Sequence, residues 1–252
     1  MGLKNYFAKV EPHFEKGGKW ERYFPVYEMV ESILFTPKTV TTAAPHARTF
    51  TDMKRIMTYV VIATIPCILF GLYNTGLQVN TAIETYGASG WRAWILSTLG
   101  IGFNANSFFA NFVHGALYFI PIYLTTLIAG GIFEVVFAVV RKHEVNEGFL
   151  VSSMLFALTM PPDAPLWQVA LGIIFGVVIG KEVFGGTGKT FLNPALTGRA
   201  FLYFAYPADM SGTTIWTPVD GFSGATALSV SASDGYQALP DVGIEWTDAF
   251  FG

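Results

Sequence analysis

Long apolar runs, each cut by a proline, a glycine pair or a lone charge, set the pattern of this chain. Residues 56–75 (IMTYVVIATIPCILFGLYNT) hold no charge over twenty positions, about the length of helix that crosses a bilayer core. Pro66 in the middle predicts a kink, which membrane helices tolerate because neighbouring groups re-satisfy the freed backbone. Residues 117–140 form a second span, broken only by Pro121, Gly130-Gly131 and Glu134. Three shorter apolar pieces follow: 149–160, which stops at Pro161-Pro162-Asp163; 166–180; and 194–206, beyond a glycine-rich loop. Short, interrupted segments of this kind are what discontinuous membrane helices look like in sequence, and such breaks line binding sites. A tilted or thinly spanning hairpin gives the same pattern. The pattern predicts an all-α, polytopic membrane protein: an N-terminal region over 1–55, a membrane domain over 56–206 and a terminal segment over 207–252.

Composition agrees. Of the 252 residues, 52% are hydrophobic and 13% charged, about half the charge of an ordinary soluble domain. The net charge of −3 gives no reason to expect nucleic acid. One cysteine, Cys67, excludes a disulfide framework or a Cys-ligated metal centre within the chain. The four histidines are scattered and no CxxCH occurs, so haem and a metal site find no support. Residues 1–50 contain no short apolar core of a cleavable signal.

Charge then sets a direction across the membrane. Residues 1–55 hold nine Lys and Arg, 76–110 hold only Arg92, and 200–252 hold none. By the positive-inside rule the N-terminus, the 141–148 loop and the 181–193 loop are cytoplasmic, and the segment after Tyr206 faces outward.

Three features carry candidate chemistry. GGTGKT at 185–190 resembles a nucleotide-binding loop, but the position that needs the first glycine is Val183, and the preceding segment is a membrane helix rather than a strand. A better reading takes KEVFGGTGKTFLNPALTGRAF whole: Asn193 is a good N-cap and Pro194 suits the first helical position. Flexible Gly185 and Gly186 beside a helix start offer backbone N–H groups to an electron-rich ligand; an ordinary re-entrant turn is the plain alternative. Glu134 is the only carboxylate of the second span, about 10 Å of helix from Arg141. Its burial at mid-membrane costs about 2.5–3.5 kcal/mol on insertion scales. It is either a cation or proton ligand, with Gly130 and Gly131 one turn away allowing close approach, or an interfacial carboxylate reaching water. In GFSGATALS (221–229), the small neighbours of Thr226 leave its hydroxyl open to an enzyme or a bulky adduct. A phosphoester there would hold a flavin without using its ring.

With FEKGGK, RKHEVNEGF, FGGTGKTFLNPALTGRAFLYFAYP and GFSGATALS in this order, the chain resembles the family formed by the B subunits of sodium-translocating NADH:quinone oxidoreductases. The D subunits of Rnf complexes are a related branch that shares SGAT. The resemblance covers essentially the whole chain. It implies a bacterial inner-membrane subunit with a cytoplasmic N-terminus, working with the other subunits of the complex. It implies FMN esterified to Thr226 by a flavin transferase, with Ser223 and Gly224 part of the attachment motif. It further implies riboflavin near Gly185, Gly186 and Asn193, and a ubiquinone site involving the N-terminal region with Gly130 and Gly131. A sodium path through Glu134 is implied as well. Electrons would pass from FMN to riboflavin to quinone, coupled to sodium export. The family continues past position 252 into the second half of an inverted-repeat, transporter-like fold, so these residues are expected to be its N-terminal part. A channel or solute transporter without redox chemistry is the rival class, and a structural membrane anchor a third.

Overall fold

The computed structural model describes residues 3–14, 17–24, 26–27, 53–141, 148–212, 215, 227–242, 245 and 247. Among these every regular element is helical. A short α1 (Leu3–Val10) precedes α2 (Met53–Tyr86), α3 (Gly90–Thr98), α4 (Phe108–Arg141), α5 (Gly148–Leu158) and α6 (Leu166–Val178). A single 3-10 turn, Glu182–Phe184, leads through the glycine loop to α7 (Pro194–Ala205), then α8 (Pro207–Met210) and α9 (Ala227–Asp234). Among the described residues three segments are long and apolar enough to cross a membrane: Ile56–Tyr86, Phe108–Arg141 and Leu166–Phe184. Tyr59, Ile62 and Phe70 on α2, and Ile128, Ile132 and Val140 on α4, are each about half exposed or more. Apolar area of that extent is unfavourable in water and costs nothing against lipid. The chain is an all-α membrane protein.

The five apolar runs all became helix, and the three short ones lie close to their predicted limits. The first two run longer than expected. α2 continues eleven residues past Thr75 and α4 begins nine before Leu117. Both extensions carry polar side chains that hydropathy counts as ends, and three of these, Asn80, Asn111 and His114, are buried and bonded to one another. Asn80 Nδ2 donates to Asn111 Oδ1 at 2.8 Å, Asn80 Oδ1 meets His114 Nδ1 at 2.7 Å, and Asn111 Nδ2 donates to the Ala105 carbonyl at 2.8 Å. Both long helices run unbroken through their prolines, Pro66 and Pro121.

The chain divides into two units. One comprises 1–64, 125–156 and 170–199. Its core is built from Ala138, Phe149, Phe156, Ile173, Val177 and Ala195. Within it α6 and α7 meet backbone to backbone: the space a side chain would take at Gly176 is filled by the Pro194 carbonyl, and at Gly198 by the Gly172 carbonyl. Small residues permit this approach where lipid offers no hydrophobic drive between helices. The second unit comprises 65–124, 157–169 and 200–252. Here α2 and α4 are in similar contact, Gly76 against the Asn111 backbone and Gly115 against that of Leu72. The buried Asn–Asn–His chain lies beside these contacts and holds the register. Arg92 extends over the Tyr118 ring, 3.9 Å from its centroid, and pairs with Asp163 at 2.9 Å.

Candidate functional site

In the first unit α4 presents Glu134 to the end of α6, where the helix unwinds at Lys181. Lys181 Nζ lies 2.5 Å from Glu134 Oε1 and 3.7 Å from Glu182 Oε1. Arg141, two turns beyond Glu134 on α4, donates from Nη1 to Glu182 Oε2 at 3.1 Å. Carboxylate and cation therefore alternate along Glu134, Lys181, Glu182 and Arg141. The first three side chains are at most 5% exposed, and that of Arg141 is 34% exposed. The alternative of a Glu134 reaching water is thus not what the structure shows. Removing one partner from such a buried array leaves an uncompensated charge, at a cost of about 3–5 kcal/mol.

The glycine loop covers this array. Gly185, Gly186 and Gly188 all have φ near +90° to +110°, a region closed to most side chains. Gly186 lies flat against the Glu182 carboxylate, where a Cβ would stand 3.7 Å from Oε1. The loop's own carbonyls take up its donors: Gly185 N–H bonds the Glu182 carbonyl at 3.0 Å and Gly186 N–H the Lys181 carbonyl at 3.2 Å. Asn193 caps α7 as expected, its Oδ1 accepting from the N–H of Ala195 at 2.9 Å and of Leu196 at 3.3 Å. These four N–H groups are therefore occupied, against the expectation that the loop offers them to a ligand. What the loop does present is aromatic. The ring of Phe191 is 76% exposed and packs edge-on against Phe184, centroids 4.6 Å apart.

One turn before Glu134 on α4, Gly130 and Gly131 differ. A Cβ at Gly130 would stand 2.6 Å from the Phe149 ring and 2.9 Å from Ile173 Cγ1, whereas at Gly131 the nearest atom is Phe149 Cε1 at 3.6 Å. Gly130 is thus filled by protein, and Gly131 is in ordinary contact. A separate aromatic basin lies in the N-terminal region, with a volume of about 660 Å³. Phe7, Phe14, Trp20, Tyr23 and Tyr27 line it, with Lys19 at its edge. Tyr27 anchors it by donating its hydroxyl to the Phe7 carbonyl at 3.0 Å and stacking on Phe14. The attachment motif, Thr226 with Ser223 and Gly224, lies outside the described residues.

Sequence reading found Glu134 and the glycine loop separately and missed what joins them. In sequence, Lys181 reads only as a charge of the cytoplasmic 181–193 loop, and Glu182 carries no signal of its own. The signal available was a Lys-Glu pair directly after an apolar run, where the chain has few other charges to balance a carboxylate on a neighbouring span.

Residues 40–252 match the model of the NQR2, RnfD, RnfE family. The whole chain is 56% identical to the B subunit of the Na(+)-translocating NADH-quinone reductase of Pseudomonas paraeruginosa, of which it covers 64%. It is 55% identical to the protein of that name from Chromohalobacter salexigens, covering 62%, and 53% identical to that from Azotobacter vinelandii, covering 64%. The chain thus spans a little under two thirds of the length of these relatives.

Proposed function

Because the chain belongs to the NQR2, RnfD, RnfE family, we propose that it forms the N-terminal part of the membrane subunit of a sodium-translocating NADH:quinone oxidoreductase. In that role it carries FMN on Thr226, binds riboflavin and quinone, and couples electron transfer to sodium export. The observation that carries the reading is Glu134. A carboxylate buried in an apolar helix long enough to span a membrane, and held against a lysine of another such segment, is costly, and such residues mark ion paths. Sodium takes hard oxygen ligands, which a carboxylate supplies.

The bound flavins would supply the redox chemistry; the protein places them and shapes their surroundings. For riboflavin the residues fit in a specific way. The exposed Phe191 ring offers a stacking surface, and Asn193, its oxygen already committed to the cap, has its amide donor to offer. For quinone, the N-terminal basin matches a flat, apolar head group, with Lys19 able to donate to a ring oxygen. Gly131 beside Phe149 accommodates a neighbour more readily than Gly130.

Glu134→Gln, in the full-length subunit within the assembled complex, tests the sodium assignment. Lys181 keeps Glu182 as a partner at 3.7 Å, which limits the cost of the lost charge. The sodium concentration that half-saturates quinone reduction should rise by about tenfold, the equivalent of one lost ligand contact of ~1.4 kcal/mol. An unchanged sodium dependence would return Glu134 to a purely structural role.

Orientation is tested separately. With Cys67 replaced, single cysteines introduced at Ser211 and Asp234 should react with an impermeant maleimide added from outside, whereas one at Lys142 should not. Nine basic residues before the first span and none after Arg199 support this direction. The reverse labelling pattern would invert the topology.

A further inference from the structure

The Lys181 ammonium stands between two buried carboxylates, nearer to Glu134 at 2.5 Å than to Glu182 at 3.7 Å. Arg141 holds the other oxygen of Glu182 from a partly exposed position. Among the described residues the array holds two negative and two positive groups, so a further cation at Glu134 favours the movement of a charge. Leaving the ammonium buried without a carboxylate is strongly unfavourable. The ammonium and an arriving cation must therefore exchange places. Lysine suits this: its charge is a compact point on a flexible four-carbon stem with three rotatable donors. A shift on the order of 1 Å is enough to turn the 3.7 Å approach into a hydrogen bond to Glu182. Arg141, partly exposed, can yield to water as the ammonium arrives.

We infer that Lys181 is a tethered competitor for the cation-binding carboxylate. Its ammonium occupies Glu134 in the resting protein, and sodium reaches that carboxylate by displacing the ammonium toward Glu182. The inference rests on the assignment of Glu134 to the sodium path, and adds the group that sets how tightly the cation is held. The glycine loop belongs to the device, since Gly186 packs on Glu182 and bonds the Lys181 carbonyl. A ligand change at the loop thereby reaches the ammonium through two covalently adjacent residues.

The test is steady-state quinone reduction by the assembled complex, carrying the full-length subunit, against sodium chloride at constant ionic strength. Lys181→Gln removes the competitor, and the half-saturating sodium concentration should fall by about tenfold, the equivalent of ~1.4 kcal/mol. Lys181→Arg replaces it with a fork that grips a carboxylate through two parallel bonds, so the value should rise. The order Gln, Lys, Arg is the signature. A merely structural lysine would lower yield or kcat in both variants without ordering the sodium response. If neither variant shifts the sodium response while Glu134→Gln does, the competitor role is wrong and the sodium path stands. If Glu134→Gln has no effect, the sodium path itself falls and the competitor with it. Should the Gln variant fail to assemble, the Arg variant decides alone: a raised value supports the exchange, and an unchanged or lowered one overturns it.

Discussion

Thr226→Val, coexpressed with the flavin transferase, is expected to yield a protein whose denatured chain shows no flavin fluorescence, where the unaltered chain fluoresces. A phosphoester needs an oxygen nucleophile, and valine keeps the shape of threonine while replacing that oxygen by a methyl group. Thr226 lies in SGAT, where Gly224 and Ala225 leave a hydroxyl unshielded. The proposed orientation, which follows the positive-inside rule, has this segment on the outer side. Thr226→Ser keeps an oxygen and should retain part of the label, while Ser223→Ala and Ser229→Ala should retain nearly all of it. Flavin mass on the 200–252 peptide of the Val variant would show that attachment lies elsewhere, with Ser223 next in line. A chain that never carries covalent flavin, in any variant, would favour a transporter without redox chemistry.

What the sequence disclosed and what it withheld divide along a physical line. Apolar runs report lipid contact, so all five helices of the membrane domain that contain them were legible, and Asn193-Pro194 located the start of α7 to the residue. Buried polar residues are invisible to the same reading, because their satisfaction depends on partners distant in sequence. The apolar run of the first span reads as ending at Thr75, although Asn80 beyond it is buried and paired with Asn111, 31 positions on. Lys181 reads only as a charge of the cytoplasmic 181–193 loop, because the carboxylate that holds it is 47 positions away. The small α3, Gly90–Thr98, lies in a stretch too short and mixed to announce itself. Glu134 was legible as an anomaly, while its surroundings were not.

Gly198→Val should prevent the protein from accumulating in the membrane, and Gly198→Ala should lower the thermal midpoint of the solubilised complex. Gly198 is the point where α7 crosses α6. A Cβ there would stand 2.5 Å from the Gly172 carbonyl oxygen and 3.0 Å from Cε2 of Phe156. The first is backbone and cannot swing aside, and the second belongs to a ring with no exposed surface. The strain therefore cannot be relieved by a rotamer change; the helices must part. One turn further along α6, Gly176 faces the Pro194 carbonyl in the same way, so separating the pair at Gly198 also loosens the start of α7 and the loop that leads into it. Overpacking by added methyl groups typically costs about 1–3 kcal/mol, and valine adds two methyl groups beyond the already obstructed Cβ, against a total stability of only about 5–15 kcal/mol. Gly131→Ala is the control. Its nearest neighbour would be a side-chain atom of Phe149 at 3.6 Å, an ordinary contact, and its midpoint should stay within error of the unaltered complex. A Gly198→Val protein recovered at normal yield and melting normally would show that α6 and α7 do not meet backbone to backbone. The seating of the glycine loop over Glu182 would then need another explanation.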